Sequence, residues 1–335
     1  MTVRDEVRDA LERMVALRNA RPEPVPLDVR DIRPAETPFD LVAVDGSYSF
    51  FYNLGSMWLA VARAAAVRYE LTDKGFRMRP PPVLVDKAIL VSTWEDVVAK
   101  QDEMHQKLFE ETKGRGDQHK EMVNEFRKRI EGELALRAAQ ENEHVVLALD
   151  GSLTAIPKEF DLLEDVAAAC EANENVLVGV SKDSFLHAFG RPLPDEQLLQ
   201  SVDGMGYVRV PKEFEDRQRE ILRGDVYFAR LHPQAPKWFR VDVGTSRDDP
   251  DFVFSHLAAH ARSGLSLGYP YALMEAHRLA VLIRQLREPL EDEILKECGR
   301  LGMRMDEVVT GLTQIEGRRR GAFHEFLDMV ARDLK

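Results

Sequence analysis

Cysteine is nearly missing from the chain. Only Cys170 and Cys298 occur in 335 residues, outside any CxxC or zinc-ribbon spacing, so neither a disulfide framework nor a cysteine-held zinc is expected. Long apolar runs are also lacking. No stretch of 18 apolar residues could span a bilayer, and the opening Met1-Thr2-Val3-Arg4-Asp5-Glu6 has no signal-peptide core. Positive charge is in deficit: the formal net charge of −12 argues against wholesale wrapping of nucleic acid, although a local basic groove stays compatible with it. The chain has no GxxxxGK[ST] phosphate loop, and Gly204-Met205-Gly206 does not continue into a dinucleotide fingerprint, so an autonomous P-loop motor is not expected. His256 and His260 have the i, i+4 spacing of a zinc protease helix but lack its glutamate. These absences point to a soluble, cytoplasmic globular protein. Its 44% hydrophobic content is sufficient for a proper core.

The organising feature is Val145-Val146-Leu147-Ala148-Leu149, an apolar run that ends in Asp150-Gly151-Ser152. Such a run reads as a strand buried on both faces, with the acid leaving the core at its end and glycine turning the chain. The same device occurs earlier, where Leu41 to Val44 meets Asp45-Gly46-Ser47. Strands are also expected over Met57 to Glu70, Val83 to Ser92, Val176 to Val180, Val226 to Leu231 and Trp238 to Val243. An amphipathic helix covers the first twenty residues, through Val3, Val7, Leu11 and Met14, and a proline-rich connector follows over Pro22 to Pro38.

Between the third strand and Asp150 lies a polar helical segment, roughly Trp94 to Gln140, broken at Gly114-Arg115-Gly116 and striped by Met122, Phe126, Ile130 and Leu134. Further helices are expected over Glu159 to Ala172 and from Tyr269 to about Arg287, with Pro270 suited to the first turn. This order of elements fits an α/β fold: a ribonuclease H-like mixed five-stranded sheet flanked by helices, with N- and C-terminal helical extensions. Residues 1–38 form the extension and connector, 39–290 the catalytic domain with a helical insertion at 94–140, and 291–335 a C-terminal helical segment. In such a sheet the first and fourth strands are neighbours, which sets Asp45 and Asp150 ~5 Å apart.

Two rigidly held carboxylates at that spacing suit divalent metal ions and phosphodiester cleavage by a two-metal site. A third acid is expected from the preceding helix. Glu133 lies roughly 60° from the apolar stripe and Glu131 roughly 100° on its other side, which makes Glu133 the better candidate. His277, two turns into the helix that follows Tyr269-Pro270, can serve as a nitrogen ligand or proton carrier, and an imidazole ligand favours manganese over magnesium. Lys182, in Val180-Ser181-Lys182-Asp183-Ser184, is a candidate phosphate contact, whereas Arg318-Arg319-Arg320 reads more simply as a helix cap.

Taken together, Val44-Asp45-Gly46-Ser47, Leu149-Asp150-Gly151-Ser152-Leu153, Gly179-Val180-Ser181-Lys182-Asp183-Ser184, Phe239-Arg240-Val241-Asp242 and Gly268-Tyr269-Pro270-Tyr271 to Ala276-His277 resemble, in order, the motifs of the NurA nuclease family. The resemblance covers about Leu41 to Arg287. It implies a manganese-dependent nuclease, with magnesium as a substitute, acting as a 5′-to-3′ exonuclease on DNA and as an endonuclease on single strands. It also implies a homodimer that joins the hexameric HerA translocase in DNA end resection for double-strand-break repair. By the same resemblance Asp45, Glu133, Asp150 and His277 are metal ligands, while Tyr269 positions a phosphate or the attacking water. The Arg240-Val241-Asp242 ending departs from the family, where glutamate is expected at the last position, and the stretch from Trp94 to Gly116 matches no family motif. Two other readings compete: a noncatalytic adaptor of a DNA motor, and an actin- or sugar-kinase-like phosphotransferase. The latter should carry more extended glycine-rich phosphate loops than any seen here.

Overall fold

The computed structural model of the protein describes residues 3–19, 27–53, 56–153, 162–190, 194–217, 223–244, 249–266, 268–281 and 284–303. In chain order the elements begin with α1 (Val3–Asn19), β1 (Arg30–Asp31), β2 (Asp40–Asn53), β3 (Met57–Thr72), β4 (Gly75–Met78) and β5 (Val83–Ser92). Three helices follow, α2 (Glu95–Val98), α3 (Glu103–Thr112) and α4 (Gln118–Glu141), then β6 (Val145–Asp150), α5 (Leu163–Ala172) and β7 (Val176–Ser181). The remainder comprises α6 (Asp195–Leu198), β8 (Gly206–Arg209), α7 (Lys212–Arg217), β9 (Asp225–Arg230), β10 (Phe239–Val243), α8 (Pro250–His260), α9 (Tyr271–Ala280) and α10 (Arg284–Arg300). The expected α/β class with a mixed sheet is present, and strands outnumber the five expected from sequence. Arg318 to Arg320 lie outside the described residues.

The chain divides into two compact units. The first comprises Met1–Pro38, Gly151–Thr154 and Val178–Pro270, and the second Phe39–Asp150, Ala155–Leu177 and Tyr271–Lys335. In the first unit β8, β9 and β10 form an antiparallel ladder, with β1 added beside β8 and the Val178–Ser181 part of β7 beside β10. Its core gathers Val208, Val226, Phe228 and Trp238, with Leu199 beneath them.

In the second unit β2 pairs with β3 antiparallel and with β6 parallel, and β3 pairs in turn with β4 and β5. First and fourth expected strands are therefore neighbours. Because side chains alternate along a strand, the even residues of β2 face one way and the odd residues the other. On the even face α4 approaches: its His119 tilts against Phe50 and stacks on Trp58 at 4.2 Å between ring centres. On the odd face α9 packs, with Tyr271 edge-on to Tyr69, the partner of Leu41. The run of alanines in β3 at 60, 62, 64, 65 and 66 is buried, and such small side chains let helices close on both faces.

Two boundaries depart from the sequence reading. The first Asp-Gly-Ser does not end a strand: β2 continues through it to Asn53, because β3 supplies ladder partners all the way to Trp58. At the second, β6 does end at Asp150, and Gly151 takes φ 117°, a left-handed conformation that favours glycine. The helix expected from Tyr269 to Arg287 is two helices, α9 and α10. The break expected near Gly114 to Gly116 separates α3 from α4 as anticipated.

Candidate metal centre

All residues of the centre belong to the second unit. Parallel pairing of Val44 with Leu149 brings the next residues, Asp45 and Asp150, to the same level of the sheet. Asp45 is buried, and it faces Ala65 on β3, whose small side chain leaves its carboxylate room. The Gly46 N–H donates to Asp45 Oδ1 at 2.7 Å, which fixes the carboxylate and presents Oδ2 to α9. There His277 Nδ1 lies 2.6 Å from Asp45 Oδ2 and 3.9 Å from Asp150 Oδ2. Ligand atoms from these three side chains all lie within 4.8 Å of one another, and among the described residues they form the one such group. The His277 side chain is 49% exposed, so the centre opens to solvent on that side.

Of the two helix acids, it is Glu131 that packs against β2, at Gly46, while Glu133 points outward. A β-carbon on Gly46 would fall 2.7 Å from Glu131 Cγ and 2.9 Å from its Cδ, so the missing side chain of Gly46 makes the space that Glu131 occupies. Arg127, one turn earlier, ion-pairs with Glu131 and donates to the Gly46 carbonyl at 3.3 Å, which pins helix to strand. Burial pushes the Glu131 carboxyl up to about 7; Arg127 opposes this shift, and the negative charges of Asp45 and Asp150 reinforce it. Glu133, in contrast, is half exposed and paired with Arg129 at 3.1 Å.

The stripe drawn through Met122, Phe126, Ile130 and Leu134 misled because it is not the whole buried face. Ala135, Ala138 and Ala139 are also buried. Averaging Ile130, Leu134, Ala135 and Ala138 at 100° per residue turns the local inward direction to about 35° from Glu131 and about 125° from Glu133. The signal was in the sequence, in alanines that read as spacers.

Other singled-out residues lie in the first unit. Tyr269 is buried, donates its hydroxyl to the Val180 carbonyl at 3.2 Å, and meets Phe239 edge-on. Lys182 Nζ sits 5.7 Å from the centre of the Tyr269 ring. Asp242 has a structural explanation: fully buried, it accepts two hydrogen bonds from Arg240, at 2.7 and 2.8 Å, and one from the Leu153 N–H at 2.9 Å. Burial raises its pKa against the pull of Arg240. Gly179 is required by close approach, since a β-carbon there would strike the Gly151 carbonyl oxygen at 2.7 Å. His256 is held by the Phe252 carbonyl at 2.8 Å, as a packed histidine of α8, and among the described residues it joins no ligand cluster.

Two carboxylates and one imidazole nitrogen form a donor set suited to a divalent cation. Hard oxygens accommodate magnesium or manganese, and the nitrogen leans toward the transition ion.

The NurA domain family matches residues 39–282. No curated protein matches the chain. Among solved structures, the NurA nuclease from Sulfolobus solfataricus is similar in fold, with a TM-score of 0.58 and 16% identity over 90% of this chain and 98% of that one. The catalytic domain of human Endonuclease V gives a TM-score of only 0.37 at 14% identity, covering 86% of this chain and 98% of that one. Endonuclease V of Ciona intestinalis, in complex with an inosine-containing DNA, also gives 0.37, at 12% identity over 86% and 99% of the two chains.

Proposed function

The chain belongs to the NurA family and is on that ground a nuclease; we propose that it is a manganese-dependent DNA nuclease whose centre is Asp45, Glu131, Asp150 and His277. The observation that carries this reading is the convergence of Asp45, Asp150 and His277 within 4.8 Å. Manganese, or magnesium in its place, would supply Lewis-acid stabilisation of the phosphoryl oxygens and lower the pKa of the attacking water. Asp45 and Asp150 would hold the cation from adjacent strands, with Asp45 oriented by the Gly46 N–H. Glu131 replaces Glu133 as the third carboxylate of this proposal. His277 would add an imidazole nitrogen from α9, and Tyr269 and Lys182 are proposed to position the phosphate.

Among the described residues no helix is long and apolar enough to cross a membrane. The nuclease domain is proposed to span 39–290, in a cytoplasmic enzyme that keeps Cys170 and Cys298 as thiols. Its activity is proposed to be 5′-to-3′ exonuclease and single-strand endonuclease, exerted as a homodimer with a HerA-type translocase in end resection. The missing P-loop agrees with leaving ATP hydrolysis to that partner.

The test is cleavage of end-labelled single- and double-stranded DNA with manganese, magnesium or chelator, beside Asp150→Ala. Manganese-dependent loss of the 5′ label, absent in the variant, is expected. Silence under every condition, with the translocase also present, would remove the reading in favour of a noncatalytic adaptor.

A further inference from the structure

Beyond Asp45, β2 runs on past the point where its neighbour β6 has ended. The β2 to β6 pairing stops at Val44 and Leu149, so from Asp45 onward β2 is laddered to β3 alone. Here the strand opens. Residues 46 to 49 are partly exposed, between buried stretches at 41–45 and 50–52. Ser47 and Ser49 share the face of Asp45, at about 7 and about 14 Å along the strand from it. That step is comparable with the advance of one nucleotide in an extended single strand.

The chemistry along this face suits phosphate. The Ser47 hydroxyl makes no hydrogen bond among the described residues, and its cross-strand partner is Arg63, held by Asp86 at 2.6 and 2.8 Å. Ser49 faces the guanidinium of Arg287 on α10, with Nη1 at 3.4 Å from the serine Oγ. Arg287 is already set in place: Nη2 donates to the Phe50 carbonyl at 3.0 Å and the guanidinium lies 5.1 Å from the centre of the Phe51 ring. Glu291 stands 3.7 Å away, and the Arg287 side chain keeps 23% of its surface exposed. A guanidinium whose rotamers are fixed before binding loses little entropy when it takes an anion.

Resting on the nuclease reading above, we infer that Ser47, Ser49 and Arg287 seat backbone phosphates of a single DNA strand next to the cleaved bond. Hydroxyls and a guanidinium read phosphate without reading bases, so the seat positions the strand and is indifferent to sequence. It also supplies, beside the acids of the centre, a donor-rich path along which a polyanion can lie.

The test measures binding apart from cleavage. Anisotropy of a fluorescein-labelled oligothymidylate is followed with the full-length chain in EDTA over a salt series, for wild type, Arg287→Gln and Ser47→Glu. Each variant is expected to bind about tenfold more weakly or worse. Arg287→Gln should also flatten the slope of log K against log salt by about 0.7, the share of one single-strand phosphate. Variants that retain the wild-type near-ultraviolet dichroism yet bind with unchanged affinity and slope would overturn the inference alone. If Arg287→Gln fails to fold, Ser47→Glu decides, since that serine's side chain has no hydrogen bond among the described residues to lose. A wild-type chain that neither binds nor cuts DNA would instead overturn the nuclease reading, and this inference with it.

Discussion

Replacing Gly46 with alanine adds one methyl group at a point where the distances allow its effect to be worked out. The new β-carbon would stand 2.7 Å from Glu131 Cγ and 2.9 Å from Cδ, against an ordinary carbon contact of about 3.6 Å. Glu131 must therefore retreat by about 1 Å, and a misplacement of that size at a reacting centre costs about 100-fold, or about 2.7 kcal/mol of transition-state stabilisation. Overpacking should also destabilise the fold by about 1–3 kcal/mol, a loss that a large domain can absorb. The assay is manganese-dependent cleavage by Gly46→Ala, Glu131→Gln and the double variant, each first checked by urea unfolding. If the alanine acts by displacing Glu131, it should cost little more once Glu131 is already gone, so the two losses should not multiply. Full activity in Gly46→Ala would refute the argument, as would losses that multiply in the double variant.

Three other outcomes follow from the geometry. Glu131→Gln should lower cleavage by about 100-fold or more, whereas Glu133→Gln, changing an exposed ion pair, should fold and cut like wild type to within about 0.5 kcal/mol, as urea melts and initial rates would show. Asp242→Ala leaves Arg240 buried without its partner and should cost about 3–5 kcal/mol in urea unfolding, with expression falling accordingly. Burial depresses the pKa of His256 below the ordinary histidine value of 6.5, so the unfolded chain takes up a proton there before the native one does. Stability from this residue is therefore present above 6.5 and lost as pH falls through the folded value; His256→Gln should show a shallower loss over that window in melts at stepped pH.

The sequence by itself determined the buried strands, the two Asp-Gly-Ser motifs and the pairing of Asp45 with Asp150. These follow from local rules: apolar runs of strand length must be buried, and parallel neighbours whose runs meet an acid at the same register bring those acids together. It also placed His277 in a helix, and helical spacing made it a candidate ligand. The tertiary structure decided the rest, because each remaining choice depends on what lies opposite. Whether the chain turns after Asp45 is set by β3, which continues the ladder through Gly46 and Ser47. Whether Asp242 acts or supports is set by Arg240 and the Leu153 N–H, which occupy both its oxygens. Which helix acid faces the sheet is set by packing: buried alanines turn α4 so that Glu131 faces inward, and the missing β-carbon of Gly46 leaves the space it fills. A periodicity can name the face of a helix, but only the surface packed against it determines which residue has room to reach through.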